Sequence, residues 1–215
     1  MTTKSASELQ HMIVRVLLAL GADERNAIVV AEHLVSANLC GVDTHGITRV
    51  LVSYVRRLQG GAVSPKSELV TLRESPSTAL IDCKNSLGQV SANHAMRLAI
   101  AKARTTGVAF VATTHANHFG AAAYWAMMAL PEGMIGFSST NALPTMAPTG
   151  GRTPMLGTNP FAIAIPAGQE LPVVLDLATT VVACTGRVDL SLGISSSPIP
   201  LPMEEHCTWV AIQHW

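Results

Sequence analysis

Apolar positions along the chain fall into two regimes. In the first third, Leu9, Met12, Ile13, Val16, Leu17 and Leu20 recur at three- and four-residue spacing, the mark of one helical face. Ser5 or Ser7 stands where a cap belongs, and Gly21 stops the run. Asp23 opens a second helix with Ala27, Ile28, Ala31, Leu34 and Val35 inward, ended by Gly41. A third is expected from near Gly46, carrying Ile47, Val50, Leu51, Tyr54 and Leu58 and closed by Gly60-Gly61 and Pro65. Helices of this kind make a cap or a dimerisation arm. They lack the basic face of a helix-turn-helix DNA reader.

From residue 68 the pattern changes. Short β-like runs are predicted at 68–72, 78–82, 108–113, 134–138, 161–166 and 173–177, with helices at 87–104 and 120–130 between them. The expected fold class is α/β: an N-terminal helical segment (1–66), then a layered α/β domain with a mixed sheet (67–183), then a tail (184–215).

Composition narrows the function classes. At 48% hydrophobic and 13% charged, the chain is long and apolar enough to bury a sizeable core. Its formal net charge is zero and it has no basic run, which argues against nucleic acid and anionic membrane as partners. Low net charge on an apolar chain favours an oligomer. The start reads Met-Thr-Thr-Lys-Ser, not a signal peptide, and Cys40, Cys83, Cys184 and Cys207 form no CxxC pair. A cytoplasmic protein with reduced thiols is the expectation.

Candidate chemistry gathers at 111–120, where an apolar run opens onto His115 and His118. Polar side chains at the exit of a buried strand are where α/β proteins place their reacting groups. A histidine there exchanges protons near neutral pH. A second candidate is the segment from Asp43 to Arg49. If a helix starts there, His45 lies at its N-terminus and Arg49 one turn on, a fork for a carboxylate. The plain alternative has Asp43 or Thr44 as N-cap and Arg49 as a solvated charge. A loop-rich span at 138–160 offers Asn141, Thr158 and Asn159 as hydrogen-bonding groups, with glycines that let a ligand approach. No GxGxxG, GxxxxGK[ST] or GxSxG occurs, so standard Rossmann, P-loop and nucleophile-elbow sites are not written in. No HExxH or cysteine pair joins the two histidines, and no metal site is expected.

The ordered set of short motifs is more specific than any one of them. Thr44-His45-Gly46-Ile47 with Arg49 and Tyr54, Gly60-Gly61, Asn117-His118-Phe119-Gly120, Pro148-Thr-Gly-Gly151, Leu156-Gly-Thr-Asn-Pro160 and Leu175-Asp-Leu-Ala-Thr179 follow one another across residues 5 to 183. In this the chain resembles the malate/L-lactate dehydrogenase type-2 family, which includes sulfolactate and ureidoglycolate dehydrogenases. The resemblance implies a non-Rossmann, sulfolactate-dehydrogenase-like fold, a homodimer, and NAD(P)-dependent interconversion of a 2-oxo acid and a 2-hydroxy acid. It implies His118 as first choice for proton transfer and His45 as the second. Arg49, with Thr44 beside it, would hold the substrate carboxylate. Asn141, Thr158, Asn159 and the segment Asp176, Leu177 and Ala178 would line the cofactor site. An Asp176 carboxylate on ribose hydroxyls would oppose a 2′-phosphate and favour NAD over NADP.

The resemblance fades after Ala183. Cys184 to Leu190 is a partial echo, and the rest matches no family motif. The expectation is a truncated member with a disordered or loosely attached tail, because Pro198, Pro200 and Pro202 suit neither helix nor central strand. Such a chain is expected to be inactive or nearly so; the alternative function is a catalytically dead remnant that dimerises or binds ligand.

Overall fold

The structure is a computed structural model that describes residues 3–48, 50–180 and 206–214. Helix α1 (Ala6–Ala19) starts in a capping box: Glu8 N–H donates to Ser5 Oγ at 3.2 Å and Ser5 N–H to Glu8 Oε2 at 2.8 Å. Helix α2 (Glu24–Leu39) follows as expected. The third helix starts close to the expected position near Gly46, with helical backbone at Thr48, but it is irregular. The chain makes a 3-10 turn (Asp43–His45) and a π turn (Val50–Tyr54) before a short α3 (Val55–Gln59). The Asn38 side chain shapes the turn ahead of it. Its Oδ1 accepts the Ile47 N–H at 2.9 Å, and it fills the space a Cβ at residue 46 would need. His45 therefore ends a 3-10 turn and does not open a helix.

The strands are β1 (Val70–Glu74), β2 (Thr78–Asp82), β3 (Val108–Ala116), β4 (Met134–Thr140), β5 (Phe161–Ile165), β6 (Val173–Leu177) and β7 (His206–His214). Helix α4 (Gly88–Thr106) and the short α5 (Ala122–Met127) lie between them. They form a single mixed sheet in the order β1-β2-β3-β7-β4-β5-β6, in which β2 and β3 run parallel and every other pair is antiparallel. Helix α4 presents Ala92, Ala95, Met96, Ala99 and Ala103 to the sheet, and small side chains permit close packing. Helix α5 sits directly on β4, where a Cβ at Gly136 would overlap the Ala126 carbonyl oxygen. A second apolar cluster joins α1 and α2 to Tyr54, Leu58 and the start of α4 at Leu87 and Val90.

The tail corrects the sequence reading. Residues 206–214 are neither loose nor peripheral. They form β7 in the middle of the sheet, with Val210 opposite Val111 on one side and Ser138 on the other. The three prolines precede this strand. The strand itself has no Pro or Gly and carries Thr208, Trp209, Val210 and Ile212, residues that favour extended backbone. Residues 181–205 lie outside the described residues. Among the described residues the free edges are β1 and β6, and on β6 Val173 and Leu175 are exposed. Among the described residues no helix is long and apolar enough to cross a membrane.

Candidate active site

The parallel strands β2 and β3 deliver their C-terminal ends to one place. There β3 runs into Asn117 and His118. Gly88, at the start of α4, lets the helix press on this segment: a Cβ there would overlap the carbonyl oxygens of Asn117 and His118. The buried Asn117 side chain is held on all sides. Its Nδ2 donates to Asn85 Oδ1 and Ser86 O, both at 2.8 Å, and its Oδ1 accepts from Arg57 Nη2 at 2.7 Å. Burial lowers the pKa of the Arg57 guanidinium.

His118 is half-buried above this anchor. Its Nδ1 lies 2.9 Å from the Tyr54 hydroxyl, which takes a hydrogen bond from Gln89 Nε2 at 2.6 Å. The His45 ring stacks beside it, with centroids 5.6 Å apart and planes inclined by 23°. Thr44 Oγ1 and His45 Nδ1 are hydrogen-bonded at 2.9 Å. Three sequence-predicted residues therefore form one line of contacts, Thr44 to His45 to His118, with Tyr54 on the far side of His118. Arg49 lies outside the described residues.

The turn after His118 is clamped from below. His33 on α2 is fully buried, accepts the Ala121 N–H on Nε2 at 2.9 Å, and stacks on Trp125 at 5.1 Å. Trp125 Nε1 donates to the Phe119 carbonyl at 2.9 Å. The ring of His33 occupies the place of a side chain at Gly120, where a Cβ would overlap His33 Cε1 and φ is +85°. Burial, with a smaller contribution from the nearby His45, pushes the His33 pKa down to about 4. His33 is a neutral acceptor at physiological pH.

His115 goes elsewhere. It adopts φ +50° and its Nδ1 donates to Asp82 Oδ1 at 3.0 Å, while Lys84 Nζ pairs with Asp82 Oδ2 at 2.8 Å. The Lys84 hydrogen bonds, with help from His115, hold the Asp82 carboxyl down to about 2. Cys83 is buried and its thiol is pushed up to about 11 by desolvation. Among the described residues no three His, Cys, Asp or Glu side chains converge to hold a metal.

The residues expected to line a cofactor form a second group. Asn159, at φ +37°, accepts the Ala142 N–H on Oδ1 at 2.9 Å, next to Asn141. The Thr158 carbonyl accepts the Thr179 N–H at 2.9 Å. Asp176 Oδ2 accepts the Ala123 N–H at 2.9 Å at the start of α5, so part of its charge is committed there. Leu177 is half-buried and Ala178 exposed. These amides, hydroxyls and the second Asp176 oxygen are groups that match ribose hydroxyls and a carboxamide, so the donor set fits a nicotinamide dinucleotide.

Comparison with known proteins decides the family. The family model described as malate/L-lactate dehydrogenase matches residues 4–190. The chain belongs to the malate/L-lactate dehydrogenase family. It is 47% identical over 175 residues to a malate dehydrogenase of Pyrococcus abyssi, covering 81% of this chain and 48% of that protein. It is 44% identical over 174 residues to an L-sulfolactate dehydrogenase of Methanocaldococcus jannaschii, covering 81% and 50%. The chain thus spans about half the length of the curated relatives it matches. The solved malate dehydrogenase of Pyrococcus horikoshii OT3 superposes with a TM-score of 0.87 at 33% identity, over 99% of this chain and 75% of that one. The mixed-sheet fold is therefore that of this dehydrogenase family. Its site includes residues that sequence reasoning did not single out: Gln89, Asn117 as anchor, Arg57 and His33. Their partners lie 35, 32, 60 and 88 residues away, beyond any short motif.

Proposed function

We propose that this chain is a NAD(P)-dependent 2-hydroxy acid dehydrogenase that interconverts a small 2-oxo acid and its 2-hydroxy acid. The observation that supports it is the His45–His118 pair, with His118 Nδ1 engaged by Tyr54. A nicotinamide cofactor, when bound, supplies or accepts the hydride at substrate C2. With Nδ1 engaged, His118 Nε2 is the nitrogen that meets the substrate oxygen. Two charged rings 5.6 Å apart would repel by about 3 kcal/mol at an effective dielectric of about 20, so the pair carries at most one extra proton near neutrality. The same ring serves both directions: His118 gives the proton to the substrate oxygen in reduction and takes it back in oxidation, with His45 stacked beside it as the second candidate. Arg49 takes the substrate carboxylate, with Thr44 orienting His45. Asn141, Thr158, Asn159 and Asp176 to Ala178 hold the cofactor, NAD being favoured by the Asp176 charge. A homodimer and a cytoplasmic location go with this reading. The expectation of an inactive chain rests partly on exposed edges at the strands 161–166 and 173–177; β5 is paired on both sides, and β6 ends the sheet among the described residues.

The test is the purified chain with NADH or NADPH and a panel of 2-oxo acids that includes oxaloacetate, pyruvate and the sulfonate analogue. Acid-dependent oxidation of the cofactor is expected, and His118→Ala should lower it by about 100-fold or more with cofactor affinity little changed. A folded chain that neither binds nor oxidises either nucleotide would overturn the reading.

A further inference from the structure

The Tyr54 hydroxyl is held from two sides. Gln89 Nε2 donates to its oxygen at 2.6 Å, and the hydroxyl lies 2.9 Å from His118 Nδ1 and 3.4 Å from the His118 carbonyl oxygen. Gln89 is fully buried, and its Oε1 has no hydrogen-bond partner. The orphan oxygen bears on which way the amide points. Turned over, the amide would place its oxygen on Tyr54 and leave both NH2 hydrogens buried without an acceptor. The observed orientation leaves one donor and one acceptor unpaired, against two donors in the other, and an orphaned N–H is the less tolerated of the two. With a donor already on its oxygen, the Tyr54 hydroxyl gives its own proton away. Of the His118 acceptors beside it, Nδ1 at 2.9 Å is nearer than the carbonyl oxygen at 3.4 Å.

We propose that Gln89 and Tyr54 are positioning residues that fix the resting proton of neutral His118 on Nε2. This rests on the proposed role of His118 in proton transfer. In that state His118 meets a 2-oxo acid as a hydrogen-bond donor to the carbonyl oxygen. To take a proton from a 2-hydroxy acid, Nε2 must be bare and Nδ1 protonated. The Tyr54 hydroxyl provides for this by rotating to the His118 carbonyl. Its oxygen then accepts from Nδ1–H while it still accepts from Gln89, since a phenol oxygen has lone pairs for both. Rotation of the hydroxyl accommodates either tautomer with no heavy atom displaced, while the ring proton itself leaves Nε2 and arrives at Nδ1 by exchange with water at the half-buried ring. The buried amide keeps the oxygen in place throughout.

The experiment is nitrogen NMR of the whole chain with labelled histidine, His118 being assigned by the signals lost in His118→Asn. The wild type should show a pyridine-type Nδ1 and a pyrrole-type Nε2. In Gln89→Glu the carboxylate accepts the Tyr54 proton, the Tyr54 oxygen accepts Nδ1–H, and the two signals should exchange. Gln89→Met and Tyr54→Phe should each move the ring toward a mixture of tautomers. A pyrrole-type Nδ1 in the wild type would overturn the proposal. So would an unchanged pattern in Gln89→Glu or, should that variant not fold, in Gln89→Met. None of these signals requires turnover. Failure of the dehydrogenase reading shows in the assay, and failure of the relay shows in the ring nitrogens.

Discussion

His33 illustrates how one residue ties stability to the site. Its folded pKa, about 4, lies below the ordinary histidine value of 6.5, so the folded chain binds fewer protons than the unfolded one between those values. The neutral ring's stabilisation is complete above pH 6.5 and is lost as pH falls toward 4. It amounts to about 3 kcal/mol, since each tenfold change in proton affinity is worth about 1.4 kcal/mol. Urea unfolding of the wild type should weaken across that window, and His33→Phe should flatten the slope while losing the Ala121 acceptor. An equally steep slope in the variant would assign the pH dependence to other groups. Asp82 acts in a lower window: its carboxylate, lowered to about 2 from 3.8, stabilises above pH 3.8 and stops doing so as pH drops to 2. Gly120→Ala meets both a left-handed backbone and the His33 ring, and should cost about 2–4 kcal/mol in urea unfolding. The sequence shows Gly120 only as a break before a helix. Its need for glycine comes from His33, on a helix far earlier in the chain, and no local pattern encodes that distance.

At the scale of elements, legibility follows the reach of the deciding interaction. The start of α1 is readable because Ser5 and Glu8 are three residues apart and bond to each other. Ser5→Ala should therefore lower stability by about 1 kcal/mol, measured by chemical denaturation, with little effect on the site. Strands β2 and β6 match the predicted bounds because alternating or continuous apolar runs mark them directly. The turn just ahead of the third helix is not readable, because Asn38, on a different helix, takes the Ile47 N–H. In the site, His45 and His118 are legible through the motifs around them. Gln89 is not, because it sits inside an apolar helix and finds Tyr54 only once that helix packs.

For the whole molecule the deciding feature is β7. Sequence periodicity identifies strands but not their order, and nothing local tells residue 206 to lie between two strands formed much earlier in the chain. Because β7 is paired on both sides, it bridges the half-sheet β1-β2-β3 to the half-sheet β4-β5-β6. Val210→Pro removes a ladder donor in this central strand and should cost about 3 kcal/mol or more. Circular dichroism followed during heating should show a lower midpoint. A variant as stable as the wild type would mean that the two half-sheets hold together without this strand.

The turn that follows His118 is tethered at two points. His33, from the helical layer, holds the Ala121 amide, and Asp176, from the outermost strand, holds the Ala123 amide. The backbone between them behaves like a short cable strung between two walls. Asp176 also belongs to the group proposed to face the cofactor, so whatever draws on that carboxylate pulls the far anchor. The near anchor, an uncharged ring locked in the core, cannot yield. Slack or tension introduced at β6 is therefore taken up within a few residues of the His118 imidazole.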